Sequence, residues 1–256
     1  PRFSGVDHDL HFLQAHYPGA YDVDRTAGAH PIRQSLGNLI DAGSVYGAII
    51  YLKSPVMMRQ LELLVGEETL RDALRRYLAR YAYGTAAWPE LVALLADGAP
   101  VDIRAWTRAW VDEAGRPVVW SDAEFADDTL VRFTLTMATA QADDAEPRRL
   151  VSSAAQRLDL AVGRDGRVEH VTCWLDGTVS IAALEGGPAP DFVLPNGRGL
   201  GYGEFHLDRR SRTWLLLHLP EVQDPLTRGS AWLTLWDAML VGEVDADALL
   251  TLAGRA

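Results

Sequence analysis

The strongest periodicity in the chain lies between Glu67 and Tyr83. There Leu70, Leu74, Tyr77, Leu78 and Tyr81 share one face at 3.6-residue spacing and most of the arginines take the other. Just upstream, Val56, Met57, Leu61, Leu64 and Val65 recur with the same period until Gly66 stops it. Downstream, Pro89 stands in a first-turn position ahead of Leu91, Leu94 and Leu95, and Asp102 is a candidate N-cap before Ile103, Trp106 and Trp110. Three or four amphipathic helices are therefore predicted from about Ser44 to Glu113, closing at Gly115-Arg116-Pro117. The stretch from Pro1 to about Ile40 is rich in Gly, Pro, Asp and His without a sustained period, which predicts a loop-rich approach with at most short helical turns.

After Pro117 the period changes to two. Val131, Phe133 and Leu135 alternate with polar neighbours, as do Leu158, Leu160 and Val162, then Val171, Cys173 and Leu175. Asp127-Asp128, Asp143–Pro147, Arg164–Arg167 and Asp176-Gly177 supply turn residues between the strands. No helical crossover separates them, so a small antiparallel β-sandwich is predicted instead of a parallel sheet. A helical pattern returns near Ser211, through Trp214–Leu219 and Arg228–Val241. The division that follows is 1–116 helical, 117–205 β-sandwich and 206–256 helical, an α+β multidomain arrangement.

Composition narrows the chemistry. Twenty-four basic against 35 acidic residues give a net charge of −11, which disfavours a nucleic-acid partner, because a phosphate backbone is held by cations. The uncharged runs fall short of the ~20 apolar residues of a membrane span. The single cysteine, Cys173, allows neither an intrachain disulfide nor a cysteine zinc cluster. The compartment is left open, the cytoplasm being preferred. Of the basic residues only Lys53 is a lysine, which singles it out: it could pair with a carboxylate, although a solvated surface is the usual place for lysine.

Several chemistries lack their motif. His8, His11 and His16 lie close together, but the chain has no His-Glu-x-x-His, so no metal ligands are assigned on it. No Gly-x-Ser-x-Gly elbow supports a serine nucleophile, and Cys173 sits in a strand pattern without a basic neighbour. The glycines at 197, 199, 201 and 203 precede a strand-like segment, not a helix, which argues against a dinucleotide loop.

The informative segments are His30-Pro31-Ile32-Arg33, then Tyr46 to Tyr51-Leu52-Lys53-Ser54, then Leu64-Val65-Gly66-Glu67-Glu68. In that order they resemble the zinc aminopeptidases of the aminopeptidase N and leukotriene hydrolase family, which carry His-Pro-Ile and then Tyr-Glu-Lys-Gly at a helix start. Here Tyr and Lys are kept, while Leu52 and Ser54 replace Glu and Gly. The likeness continues through Arg75-Arg76-Tyr77-Leu78, Tyr83-Gly84 and Trp106–Val119, and more loosely through Asn196, Gly201-Tyr202, Asp208, Arg228 and Asp237-Ala238. It implies the helical end of a thermolysin-like catalytic subdomain, then a β-sandwich and the start of a C-terminal helical domain.

The resemblance makes Tyr51 the catalytic candidate, donating its phenolic hydrogen to the oxyanion formed as water attacks a scissile carbonyl. A phenol ionises near pH ~10, so a tyrosine serves as a neutral donor and not as a base. Tyr46, five residues earlier, ranks below it as a substrate-binding candidate: on a continuous helix it would lie about 140° away, so both line one cleft only if the backbone is irregular. His30 and Arg33 are expected to anchor their loop, and Trp106 and Trp110 to be core. The family's zinc helix and third ligand would precede Pro1, so zinc is expected in the intact parent and not on this chain. The implied partners are a peptide substrate and the missing N-terminal part of the parent. The rival reading is a non-catalytic binding or scaffold module that uses the acidic sandwich as an interface.

Overall fold

The computed structural model describes residues 7–38, 40, 43, 46–99, 101–139 and 154–255, backbone alone at 139. Helix α1 runs His8–Asp24, its first turn capped by Asp7, whose carboxylate accepts from the Leu10 N–H at 3.0 Å. A 17-residue helix corrects the expectation of a loop-rich start. Pro18 and Gly19 read as breakers, yet Leu13, Tyr17, Ala20, Tyr21 and Asp24 recur at three- and four-residue spacing and are all buried. That packed face outweighs the local preference.

The remaining helices of this half are α2 (Ser54–Val65), α3 (Glu67–Arg80), α4 (Trp88–Ala96) and α5 (Ile103–Thr107). Gly66 separates α2 from α3 at φ +86°, a conformation that favours glycine, and Asp102 caps α5 by accepting from the Arg104 and Ala105 N–H groups. The apolar face expected on α3 is only partly covered. Ala73 is its buried residue, whereas Leu74 and Leu78 are exposed. Short π-helical turns precede α2 (Ile49–Lys53) and follow α5 (Arg108–Asp112).

The strands are β1 (Pro117–Ala126), β2 (Thr129–Thr139), β3 (Gln156–Arg164), β4 (Arg167–Leu175), β5 (Thr178–Ser180), β6 (Gly187–Pro188), β7 (Phe192–Leu194) and β8 (Glu204–His206). One sheet has the order β5-β2-β1-β8 with β6 also on β2, and the other is β4-β3-β7. All pairs are antiparallel except β1 with β8. Phe133, Leu135 and Met137 of the first sheet and Leu158, Leu160 and Val162 of the second share one buried cluster, which continues into α1, α2 and α5. The fold is thus α+β with mainly antiparallel sheets.

Val131 departs from its expected place. The register steps from Glu124↔Arg132 to Phe125↔Leu130, so Val131 is the extra residue of a bulge; Leu130 is buried in its stead and Val131 is exposed. The Arg164–Arg167 turn places Asp165 and Gly166 both at positive φ, the geometry of a two-residue hairpin. The turn expected at Asp143–Pro147 lies outside the described residues. Helices α6 (Arg209–His218), α7 (Pro225–Leu240) and α8 (Ala246–Ala253) follow, packing Leu215, Leu235 and Leu252 against Phe192 and Leu194. Among the described residues no helix is long and apolar enough to cross a membrane.

Candidate active site around Tyr51

The π-helical turn Ile49–Lys53 changes the geometry that a regular helix would impose. The Ser54 N–H donates to the Ile49 carbonyl, five residues back, and the Ile50 and Tyr51 N–H groups both donate to Gly47. With the backbone irregular here, the rings of Tyr46 and Tyr51 lie 5.9 Å apart at 33°. Both are exposed, Tyr51 at 58% and Tyr46 at 61%.

Its neighbours in the turn are not exposed. Ile49 is fully buried, and Leu52 lies on α1 so closely that a methyl group on Gly19 would sit 2.5 Å from Leu52 Cδ1. Lys53 is 1% exposed, so of the two expectations for it the carboxylate partner holds and the solvated surface does not. Its Nζ lies 2.8 Å from Asp24 Oδ2, donates to the Gly115 carbonyl at 2.6 Å, and stands 5.3 Å from the centre of the Tyr202 ring. The Tyr202 hydroxyl donates to the same Asp24 oxygen at 2.9 Å. Burial lowers the Lys53 pKa, with Asp24 opposing, and raises that of Tyr202.

Asp24 is the residue that sequence reasoning missed. With residues 1–40 read as loop, nothing aimed it at position 53; the one available signal was a lone lysine in an arginine-rich chain. A second buried network adjoins it. Arg116 pairs with Asp237 at 2.8 Å and Glu204 at 3.0 Å and lies 4.5 Å over the Tyr21 ring, while Arg25 reaches Asp237 at 3.0 Å. A cavity of about 470 Å³ opens beside Asp24, Trp110 and Arg116. Asp24 Oδ1 and Trp110 Nε1 are buried there without a hydrogen-bond partner among the described residues.

The other candidates fall as follows. Arg33 binds Asp112 at 2.7 Å, and the His30 ring lies against the Pro31 carbonyl and Gln34, so both fasten the loop. Trp106 and Trp110 are core. His8, His11 and His16 share α1, with His16 stacked on Phe12 and hydrogen-bonded to its carbonyl. Among the described residues no group of three His, Cys, Asp or Glu side chains could hold a metal. A groove of about 910 Å³ between β1 and α6, lined by Trp120, His206, Arg210 and Trp214, includes neither Tyr46 nor Tyr51.

Helices that lead into two mainly antiparallel sheets, with an exposed tyrosine pair on a firmly seated turn ahead of α2, define an α+β protein. Residues 5–113 match the peptidase family M1 domain. Over those residues the chain is similar to that family. It is similar to aminopeptidase N of Streptomyces lividans, 28% identical over 229 residues, covering 85% of this chain and 26% of that protein. It is also similar to aminopeptidase M1-A of Oryza sativa subsp. japonica (30% over 108 residues; 42% and 12%) and to aminopeptidase N of Lactobacillus helveticus (29% over 135 residues; 51% and 16%). The chain therefore spans about a quarter, or less, of the length of these relatives.

Proposed function

We propose that the chain is part of an aminopeptidase that removes N-terminal residues from peptides, and that Tyr51 is its oxyanion donor. The observation that carries this is the contrast within one turn: Tyr51 is open to solvent while Ile49 and Lys53 on either side are buried. A phenol held in this way can wait, already oriented, for the charge that develops as the carbonyl becomes tetrahedral. Tyr46, whose ring lies beside it, would flank the substrate. Zinc belongs to this reading as a property of the intact enzyme. The described side chains do not fit the metal, so its ligands would be supplied by other residues, and Tyr51 needs no metal contact to act as donor. The division into a helical part at 1–116, a sandwich at 117–205 and further helices at 206–256 belongs to the same proposal.

The test is Tyr51→Phe in the intact enzyme, assayed on an amino-acid amide. Loss of one oriented donor should lower kcat by roughly 10²–10³, with KM moving far less. A kcat within about threefold of the parent, under ~0.7 kcal/mol, would leave Tyr51 a surface residue and favour the scaffold reading.

A further inference from the structure

The Lys53–Asp24 pair is an unusual way to seat a turn. Taking two charges out of water costs several kcal/mol per ion, and a buried pair is often no more stable than apolar residues of the same volume. What an ion pair adds is direction. An ammonium has three N–H bonds, and the surroundings of Lys53 Nζ occupy three directions: Asp24 Oδ2, the Gly115 carbonyl and the face of Tyr202. These partners come from three separate places, the last residue of α1, the approach to β1 and the loop before β8. Asp24 Oδ2 is fixed in turn by the Tyr202 hydroxyl. A methionine at position 53 could fill the same space but would select no single orientation, because a thioether makes no comparable bonds.

Tyr51 lies two residues away, and the turn carrying it is seated by Ile49, Leu52 and Lys53. We propose that Lys53 and Asp24 are positioning residues for Tyr51, their ion pair fixing the π-helical turn so that the exposed phenol is held at one place. The functional meaning of this tether rests on the reading of Tyr51 given above, whereas the tether itself can be tested without catalysis.

The chain is labelled with 3-fluorotyrosine, and its Tyr51 ¹⁹F resonance is assigned by its loss in Tyr51→Phe. The double variant Asp24→Asn/Lys53→Met removes both charges together, so that neither is left buried alone. Gln60→Leu serves as the stability control, since Gln60 is buried and its hydrogen bonds go to Arg157 and Leu200 and not to the turn. Well below either melting temperature, the Tyr51 resonance should shift or broaden in the double variant and stay in place in Gln60→Leu. An unchanged resonance in the double variant, or the same change in Gln60→Leu, overturns the tether.

In the intact enzyme the double variant should lose about 10–100-fold in kcat, in line with the cost of an ~1 Å misplacement, with KM within about threefold. A displaced resonance accompanied by unchanged kcat would overturn the catalytic reading of Tyr51 and leave the tether standing.

Discussion

Tyr51 and Lys53 are two residues apart and meet opposite environments, and in each case the side chain's chemistry decides what that environment does. The exposed phenol is free to meet another molecule, whereas the buried ammonium must find its partners inside the chain. Cys173 illustrates the same point. It is half-buried on β4 near Asp159, and burial, reinforced by that carboxylate, pushes its thiol up to about 11. Since the thiolate is the nucleophile, iodoacetamide at pH 8 should label native Cys173 far more slowly than the urea-unfolded chain. Equal rates by mass spectrometry would show that the site is open. At position 131 side-chain chemistry is outweighed by register: Val131→Thr should change stability by no more than ~0.5 kcal/mol, while Phe133→Ala should cost about 3–5 kcal/mol. Urea titrations of the two variants decide it, and equal losses would place Val131 back in the core.

Among the elements, α1 and the glycine-rich loop 196–203 bring the two halves of the chain together. The Tyr17 hydroxyl of α1 donates to the Gly199 carbonyl at 2.7 Å, and Gly199 holds φ +60°. Asn196 bonds Gly201 through both ends of its amide, closing the loop. A Cβ at Gly197 would fall on the backbone of Ala161 in β3. Glycine is thus needed here for close packing, which accounts for the glycine run. Gly197→Ala should destabilise by about 1–3 kcal/mol, as overpacking does. A variant with the parent's melting temperature would mean that loop and sheet are not in contact.

Across the whole molecule, partly buried charge links the sandwich to the C-terminal helices. His206 on β8 stands between Glu204 at 2.8 Å and Glu243 at 2.6 Å and is stacked on Trp120; Arg116 binds Glu204 from one side and Arg212 binds Glu243 from the other. Burial acts to lower the His206 pKa, but the two carboxylates more than offset it and raise it above 6.5. Glu204 is held below 4.5, first by its hydrogen bond to His206. A raised histidine stabilises fully below its unfolded value and loses that contribution as pH rises through its folded value. A lowered glutamate contributes above 4.5 and loses that contribution as pH falls through its folded value. The cluster should therefore contribute most between about pH 4.5 and 6.5. From pH 6 to 9 the melting temperature of the parent should fall more than that of His206→Gln; parallel curves would exclude the linkage. The same chain, dialysed and analysed for metal, should hold no stoichiometric zinc. One tightly bound zinc lost on changing His8, His11 and His16 to Ala would contradict that.

Much of this was legible from local pattern. The amphipathic runs marked α2 and α4, Asp102 announced the start of α5, alternation marked β2 to β4, and the order His30-Pro31-Ile32, Tyr51-x-Lys53, Gly66-Glu67 carried the resemblance to the family that residues 5–113 match. The elements depend on residues within a few positions of one another and the resemblance on the order of short motifs along the chain, so the sequence alone suffices. Helix α1 did not yield to that reading, because the burial that holds Pro18 and Gly19 in a helix comes from residues as distant as Tyr202. The bulge at Val131 depends on which residue of β1 stands opposite. The burial of Lys53 depends on Asp24, Gly115 and Tyr202, which are 29, 62 and 149 positions away along the chain and meet only once it has folded. Periodicity records which face of an element is apolar; only tertiary packing decides which charges are enclosed together, because desolvation and pairing act through space and not along the chain.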